Sequence, residues 1–239
     1  MINKYHFKQF ETPYYSTIAF EQFLKECGCF KPKTDVLDIG AGCGANIYYM
    51  AKKYPNTNFI GMDYNKKLIA VGNEMLKMYK LTNVNLEYGD WFLLPKKLKN
   101  RFDGIFNIHT LCCFKSLTPA LDALVRLHPQ WLAFNSLFYQ GPLDVLIHIR
   151  DHKKGAPKDN NPDADFNTFS LPMMQSYLKR RGYKNFIYQK YHIPVDLPKP
   201  KNGQRGTYTV KTSFDKRAQF SGPVYLPWYF VLASKKNGI

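Results

Sequence analysis

The chain is 239 residues long, with apolar residues at 45%, aromatics at 16% and charged residues at 22%, a composition that fits one globular core and excludes long disordered tracts. Lys and Arg outnumber Asp and Glu by 34 to 18, a net charge of +16, and no apolar run approaches the roughly 18 to 20 residues that cross a bilayer. We therefore expect a cytoplasmic chain forming a single domain over residues 1–239, not a membrane, collagenous, repeat or secreted disulfide-rich protein.

In chain order, residues 15–27 carry apolar side chains at helical spacing and end near Gly28. Asp35 to Ile39 reads as a short buried strand running into glycines, followed by a helix over Ala45 to Lys53 that Pro55 stops. Asn58 to Asp63 is a second strand. Lys66 to Tyr79 is a helix, with Leu68, Val71, Met75 and Met78 on its expected apolar stripe. Val84 to Tyr88 alternates as a third strand, and Phe102 to Ile108 is a fourth. A helix over Leu117 to Leu127 precedes a fifth strand, Trp131 to Phe138. A helix over Leu171 to Arg181, a sixth strand over Asn185 to Ile193 and a last one over Trp228 to Ala233 complete the set.

Strands alternating with helices of this length predict βαβ units: an α/β fold with a mostly parallel, seven-stranded sheet covered on both faces. Two stretches break the rhythm, residues 139–169 and 194–225. Long excursions in a compact α/β domain are usually functional, so we expect both to be substrate-side insertions. Cys27, Cys29, Cys43, Cys112 and Cys113 form an odd set without a CxxC pair, which predicts reduced thiols packed as small apolar groups.

The sharpest local signal is Val36-Leu37-Asp38-Ile39-Gly40-Ala41-Gly42-Cys43-Gly44. Glycines between a strand and a helix let the backbone turn tightly and approach a ligand. Gly40, Gly42 and Ala45 also satisfy a dinucleotide fingerprint, and Asp63 stands where a carboxylate accepts ribose hydroxyls in such sites. Asp38 separates the readings. A carboxylate at the strand tip repels a pyrophosphate and favours an amino-acid ammonium group. Gly89-Asp90-Trp91 adds a third strand-end acid with an aromatic beside it.

With these residues the sequence resembles the class I S-adenosylmethionine-dependent methyltransferases. The likeness rests on Asp38 to Gly44, Asp63, Gly89-Asp90 and the fourth-strand segment Phe102 to Leu111, and it covers roughly residues 30 to 140. It implies a Rossmann-like, doubly wound sheet and S-adenosyl-L-methionine as cofactor. Asp38, Gly40, Gly42, Asp63, Tyr64, Asp90, Trp91 and Asn107 are the implied cofactor-binding set. Residues 1–30 are expected to form an N-terminal helical lid with Tyr5, Phe7, Phe10, Tyr14, Tyr15 and Phe20, of which Tyr14 and Tyr15 face substrate. The family's N/D-P-P-Y/F motif is missing, since this position reads Asn107-Ile108-His109-Thr110. That argues against methylation of exocyclic base amines or glutamine amides.

Methyl transfer needs chiefly proximity and alignment, and a hydroxyl acceptor also needs a general base. His109, just past the fourth strand, is the first candidate. A second is the run Gly141 to His152: were it helical, Asp144, His148 and His152 would share a face and pair a base with its orienting carboxylate. Asp144 and His148 are accordingly named as catalytic, and His152, Asn135, Tyr139, Arg150 and Arg205 as substrate contacts. No metal is expected.

The acidic residues thin out toward the C-terminus, leaving residues 176–239 strongly basic. Such a field favours an anionic partner. The expected acceptor is a small polar anionic metabolite methylated at oxygen, held by Lys199, Lys201, Arg205 and Lys211; surface-glycan or natural-product precursors are the suggested kind. The alternatives are an RNA methyltransferase, with nucleic acid as partner, and a non-catalytic nucleoside-binding protein on the same fold.

Overall fold

The computed structural model describes residues 4–150, 152, 163–201 and 205–236, with residues 4–7 described by backbone only. Two helices, α1 (Lys4–Glu11) and α2 (Tyr15–Glu26), lead into the alternating core: β1 (Asp35–Ile39), α3 (Ala45–Lys53), β2 (Asn58–Asp63), α4 (Lys66–Tyr79), β3 (Val84–Tyr88), β4 (Gly104–Ile108), α5 (Leu117–Val125) and β5 (Trp131–Tyr139). Three two-residue strands follow, β6 (His148–Ile149), β7 (Ala164–Asp165) and β8 (Phe169–Ser170). Then come α6 (Leu171–Lys179), β9 (Asn185–Lys190), β10 (Thr207–Val210), β11 (Ala218–Ser221), β12 (Val224–Tyr225) and β13 (Trp228–Ser234).

The central sheet runs in the order β3-β2-β1-β4-β5-β13-β9, with β8 joined to the exit of β5. Its strands are parallel from β3 to β5. β13 lies antiparallel to both β5 and β9. The expected seven-stranded, mostly parallel sheet is thus present, and order reverses between β1 and β4. Brackets of this kind open a crevice at the carboxyl ends of the strands.

Alternate residues of each strand face opposite layers. Val36, Phe59, Phe106 and Trp131 pack toward the first four helices, where Phe10, Phe20, Ile47 and Met75 are buried. Leu37, Ile105, Leu132 and Phe134 pack toward α5 and α6. Asn65 caps α4 by accepting from the N–H groups of Lys67 and Leu68, and Ser170 caps α6 through Met173. The buried stripe of α4 is Ile69, Gly72, Met75 and Leu76, which corrects the stripe read from sequence; Met78 is 59% exposed.

Residues 141–150 are not helical. Val145 pairs with Thr168, and His148 and Ile149 pair with Asp165 and Ala164. Val145, Ile147 and Ile149 alternate with period two, and β-branched side chains at that spacing favour extended pairing over a helix. Asp144, His148 and His152 therefore share no helix face.

Residues 194–225 hold the antiparallel sheet β10-β11-β12. No helix among the described residues is long and apolar enough to cross a membrane.

Candidate active site

The glycine turn after β1 is held from below by β2. Gly40 and Ala41 both donate to the Met62 carbonyl, at 2.7 and 3.0 Å. Gly42 donates to Asp63 Oδ2 at 2.9 Å, and Asp63 Oδ1 accepts from Asn65 N at 2.8 Å. Gly40 and Gly42 have φ of +77° and +59°, the left-handed region where a Cβ is strained. A Cβ on Gly40 would also press into Thr110 at 2.6 Å, whereas one on Gly42 would meet nothing within 4 Å. Gly40 thus lets the post-β4 turn approach closely, and Gly42 turns bare backbone toward open space.

Asp38 lies beneath this turn, 1% exposed, and neither carboxylate oxygen has a hydrogen-bond partner. Burial, and then the nearby Asp63, hold its carboxyl well above the usual carboxylate range. A buried acid with no hydrogen-bond partner among the described residues is suited to a donor or cation brought by a ligand.

Asn107, at the end of β4, is fully buried. Its amide nitrogen donates to Ile39 O at 2.5 Å, and its oxygen accepts from Thr110 N and Leu111 N at 3.2 and 3.0 Å. It clamps the exits of β1 and β4 together, so its amide is engaged by backbone and not turned to a ligand. The turn it closes sets His109 at φ +66°, with its N–H donating to Asn135 O at 2.9 Å. The His109 ring lies 4.4 Å from that of Trp228. Burial pushes the imidazole down to about 4, which keeps it neutral at ordinary pH.

A cavity of about 750 Å³ joins these elements. Gly40, Gly42 and His109 line its sheet side, and Tyr14 and Tyr15 bring in the N-terminal helices. Tyr14 and Tyr15 are 45% and 49% exposed, whereas Phe10 and Phe20 are buried in the core; the side chains of Tyr5 and Phe7 lie outside the described residues. Tyr191, Gln219 and Trp228 close the far wall. Their positions just past β9, within β11 and at the start of β13 carry no motif, and sequence reading did not single them out as site residues.

Several expected site residues stand elsewhere. Asp38, beneath the glycine turn, and Asp63, Tyr64 and Asp90, at the exits of β2 and β3, do not line this cavity and flank its glycine-turn end. Tyr64 is 73% exposed, and Asp90 caps the following turn by accepting from Phe92 N at 2.8 Å. Trp91, expected beside the adenine, is instead a core residue: it is 5% exposed and its indole donates to Ala120 O at 2.9 Å. Asn135 is fully buried with its side-chain amide unpartnered, and it does not line the cavity.

The expected Asp144–His148 pair is absent. Asp144 accepts from Ser170 N at 2.7 Å, and His148 sits between Asp165 at 2.9 Å and Asp163 at 3.6 Å. Tyr139, Arg150, His152 and Arg205 are all exposed and outside the cavity lining. Cys113, expected to be packed away, is exposed and lines the cavity, while Cys112 is buried.

A methyltransferase-domain family matches residues 30–154, more than half of the chain. The release factor glutamine methyltransferases of Buchnera aphidicola subsp. Baizongia pistaciae and Aliivibrio fischeri are 29% and 34% identical over 119 and 118 residues. These stretches are 50% and 49% of this chain and 40% and 39% of theirs. The chain thus spans about two fifths of the length of these curated relatives. The N-terminal domain of EvdMO1, solved with SAH bound, has a similar fold at a TM-score of 0.60 and 16% identity, over 92% of this chain and 81% of that one.

The sheet order, the glycine turn and the family match define a Rossmann-like methyltransferase domain. The chain belongs to the class I S-adenosylmethionine-dependent methyltransferase family, whose cofactor is S-adenosylmethionine.

Proposed function

We propose that the protein methylates a small molecule at oxygen, with the cofactor at the glycine turn and the acceptor in the far part of the same cavity. The single observation that carries this reading is the continuity of that cavity from Gly42 to His109 and Trp228. One chamber holding two ligands end to end provides the alignment that methyl transfer requires.

The residues present fit the cofactor. Asp38 would receive its ammonium group, since its carboxylate has no hydrogen-bond partner among the described residues. Gly40 and Gly42 give close approach of backbone, and Asp63, whose oxygens already accept from Gly42 and Asn65, keeps free lone pairs for ribose hydroxyls. Asp90 would accept from the adenine amino group. Bound S-adenosylmethionine supplies a methyl group already activated by its sulfonium.

His109 would take the proton that the acceptor hydroxyl loses. Its ring is neutral over the physiological range, so it is ready to accept, and Trp228 holds it in place. Tyr14 and Tyr15 would cover the cavity and exclude water.

One observation favours RNA as a second reading: Lys211, Lys216 and Arg217 gather in the loop between β10 and β11, where Asp196 pairs with Arg217 at 2.8 Å. Incubation of a cell extract with the protein and methyl-labelled S-adenosylmethionine, followed by mass spectrometry, tests both. A labelled small molecule supports the first reading, and label in RNA supports the second. A thermal shift with S-adenosylhomocysteine and none with NADH is expected; the reverse would reject both.

A further inference from the structure

Two residues that line the cavity each carry a buried side-chain donor that is closed to solvent and has no partner. Tyr191 is 8% exposed, with its N–H donating to Trp228 O at 2.9 Å and its ring stacked 5.3 Å from Phe230, yet its hydroxyl has no hydrogen-bond partner. Gln219, on β11, is 7% exposed, and its Nε2 is likewise unpartnered. Burial pushes the Tyr191 hydroxyl up to about 12, so it stays protonated and able to donate. An amide nitrogen can only donate. The wall around them is apolar, with Ile193, Leu197, Leu226 and Trp228. No Lys, Arg, Asp or Glu among the described residues lines the cavity.

We infer that Tyr191 and Gln219 are the specificity-determining residues for the acceptor, and that they hold an oxygen of an uncharged, mainly apolar molecule. This rests on the methyltransferase reading and narrows it. A buried donor costs free energy until something accepts from it, and neither of these atoms is open to water to recover that cost. An anion in this chamber would leave solvent with no side-chain cation among the described lining residues to meet it, only the sulfonium that the methyl transfer itself neutralises. The surface cations that suggested an anionic acceptor, Lys199, Lys201, Arg205 and Lys211, do not reach the lining. Their field acts on the outside of the protein.

The test uses the full chain, methyl-labelled S-adenosylmethionine and an ultrafiltered small-molecule fraction of host-cell extract passed over an anion exchanger. Labelled product in the flow-through is expected. Tyr191→Phe and Gln219→Leu should each lower its rate of formation about tenfold at limiting acceptor, the effect of one lost hydrogen bond to substrate. Their affinity for S-adenosylhomocysteine, measured by calorimetry, should match the wild type and shows that they are folded. Product retained by the exchanger overturns the inference, as does label confined to macromolecules, or variants that methylate like wild type. Failure of the wild-type protein to bind S-adenosylhomocysteine would sink the methyltransferase reading itself, which keeps the two failures distinct.

Discussion

Gly42 and Asp63, 21 residues apart, are joined by a 2.9 Å hydrogen bond from the glycine N–H to the carboxylate, which ties the turn after β1 to the tip of β2. The same carboxylate accepts from Asn65 N, the cap residue of α4. Asp63→Ala frees both donors and removes the proposed ribose contact. Affinity for S-adenosylhomocysteine should fall on the order of tenfold to a hundredfold, the loss of one or two charge-assisted hydrogen bonds. Asp63→Asn, which retains one acceptor, should lose less. Calorimetry on the three proteins measures this, and equal affinities would remove Asp63 from the site.

Asp38 predicts a proton released on cofactor binding. Its folded carboxyl is held above the ordinary 3.8 by burial and by Asp63, so the native state keeps a proton that the unfolded chain loses. Stability therefore falls as pH rises from about 3.8 through the folded value. Pairing with an ammonium group favours the ionised form and expels the proton. Calorimetric titration with S-adenosylhomocysteine in buffers of different ionisation enthalpy should show proton release in the wild type and none in Asp38→Asn. Identical heats across buffers for the wild type would contradict this placement.

For His109 the displacement runs the other way. Its folded value is about 4 against an ordinary 6.5, so between these values the unfolded chain binds a proton that the native chain does not. Stability should drop as pH falls through that window, by up to about 3 kcal/mol, and His109→Gln should flatten the slope. In activity, the acid limb of kcat/KM should sit near 4 instead of 6.5. The Gln variant should lose on the order of a hundredfold to ten-thousandfold in kcat if the imidazole is the base. A variant with wild-type kcat would leave His109 a purely structural residue.

Glu21, 1% exposed on α2, accepts from Lys53 and from the Tyr54 hydroxyl at the end of α3. Glu21→Ala leaves the Tyr54 hydroxyl without that acceptor, while the half-exposed Lys53 returns to water. Destabilisation of about 2 kcal/mol is expected, read from the urea midpoint. Glu21→Gln retains the Tyr54 contact and should cost less.

The parallel half of the sheet was legible because its signals are local. The strand-glycine-helix junction at Asp38 to Ala45 announces itself within a few residues. The Gly141 to His152 run misled because acids and histidines four apart imitate a helix face, while Val145, Ile147 and Ile149 carried the overriding period of two. Trp91 was misplaced for another reason. A 3-10 turn at 91–93 rotates its ring into the core beside Phe114 and exposes Phe92, an offset of one residue that sequence does not encode visibly. Tyr191 and Gln219 escaped because only tertiary folding brings the end of β9, the separate sheet that holds β11 and the start of β13 to one cavity.

The reversed direction of β13 has an architectural corollary. A strand entering the sheet from the cavity side means that the chain both departs after Lys190 and comes back at Trp228 along one edge, without traversing the scaffold. Residues 191–227 are therefore a cassette joined to the sheet along one edge and anchored there by Tyr191, Ile193 and Leu226 packed into the core. Exchange of that cassette between proteins of this architecture is a direct route to transplanting substrate preference.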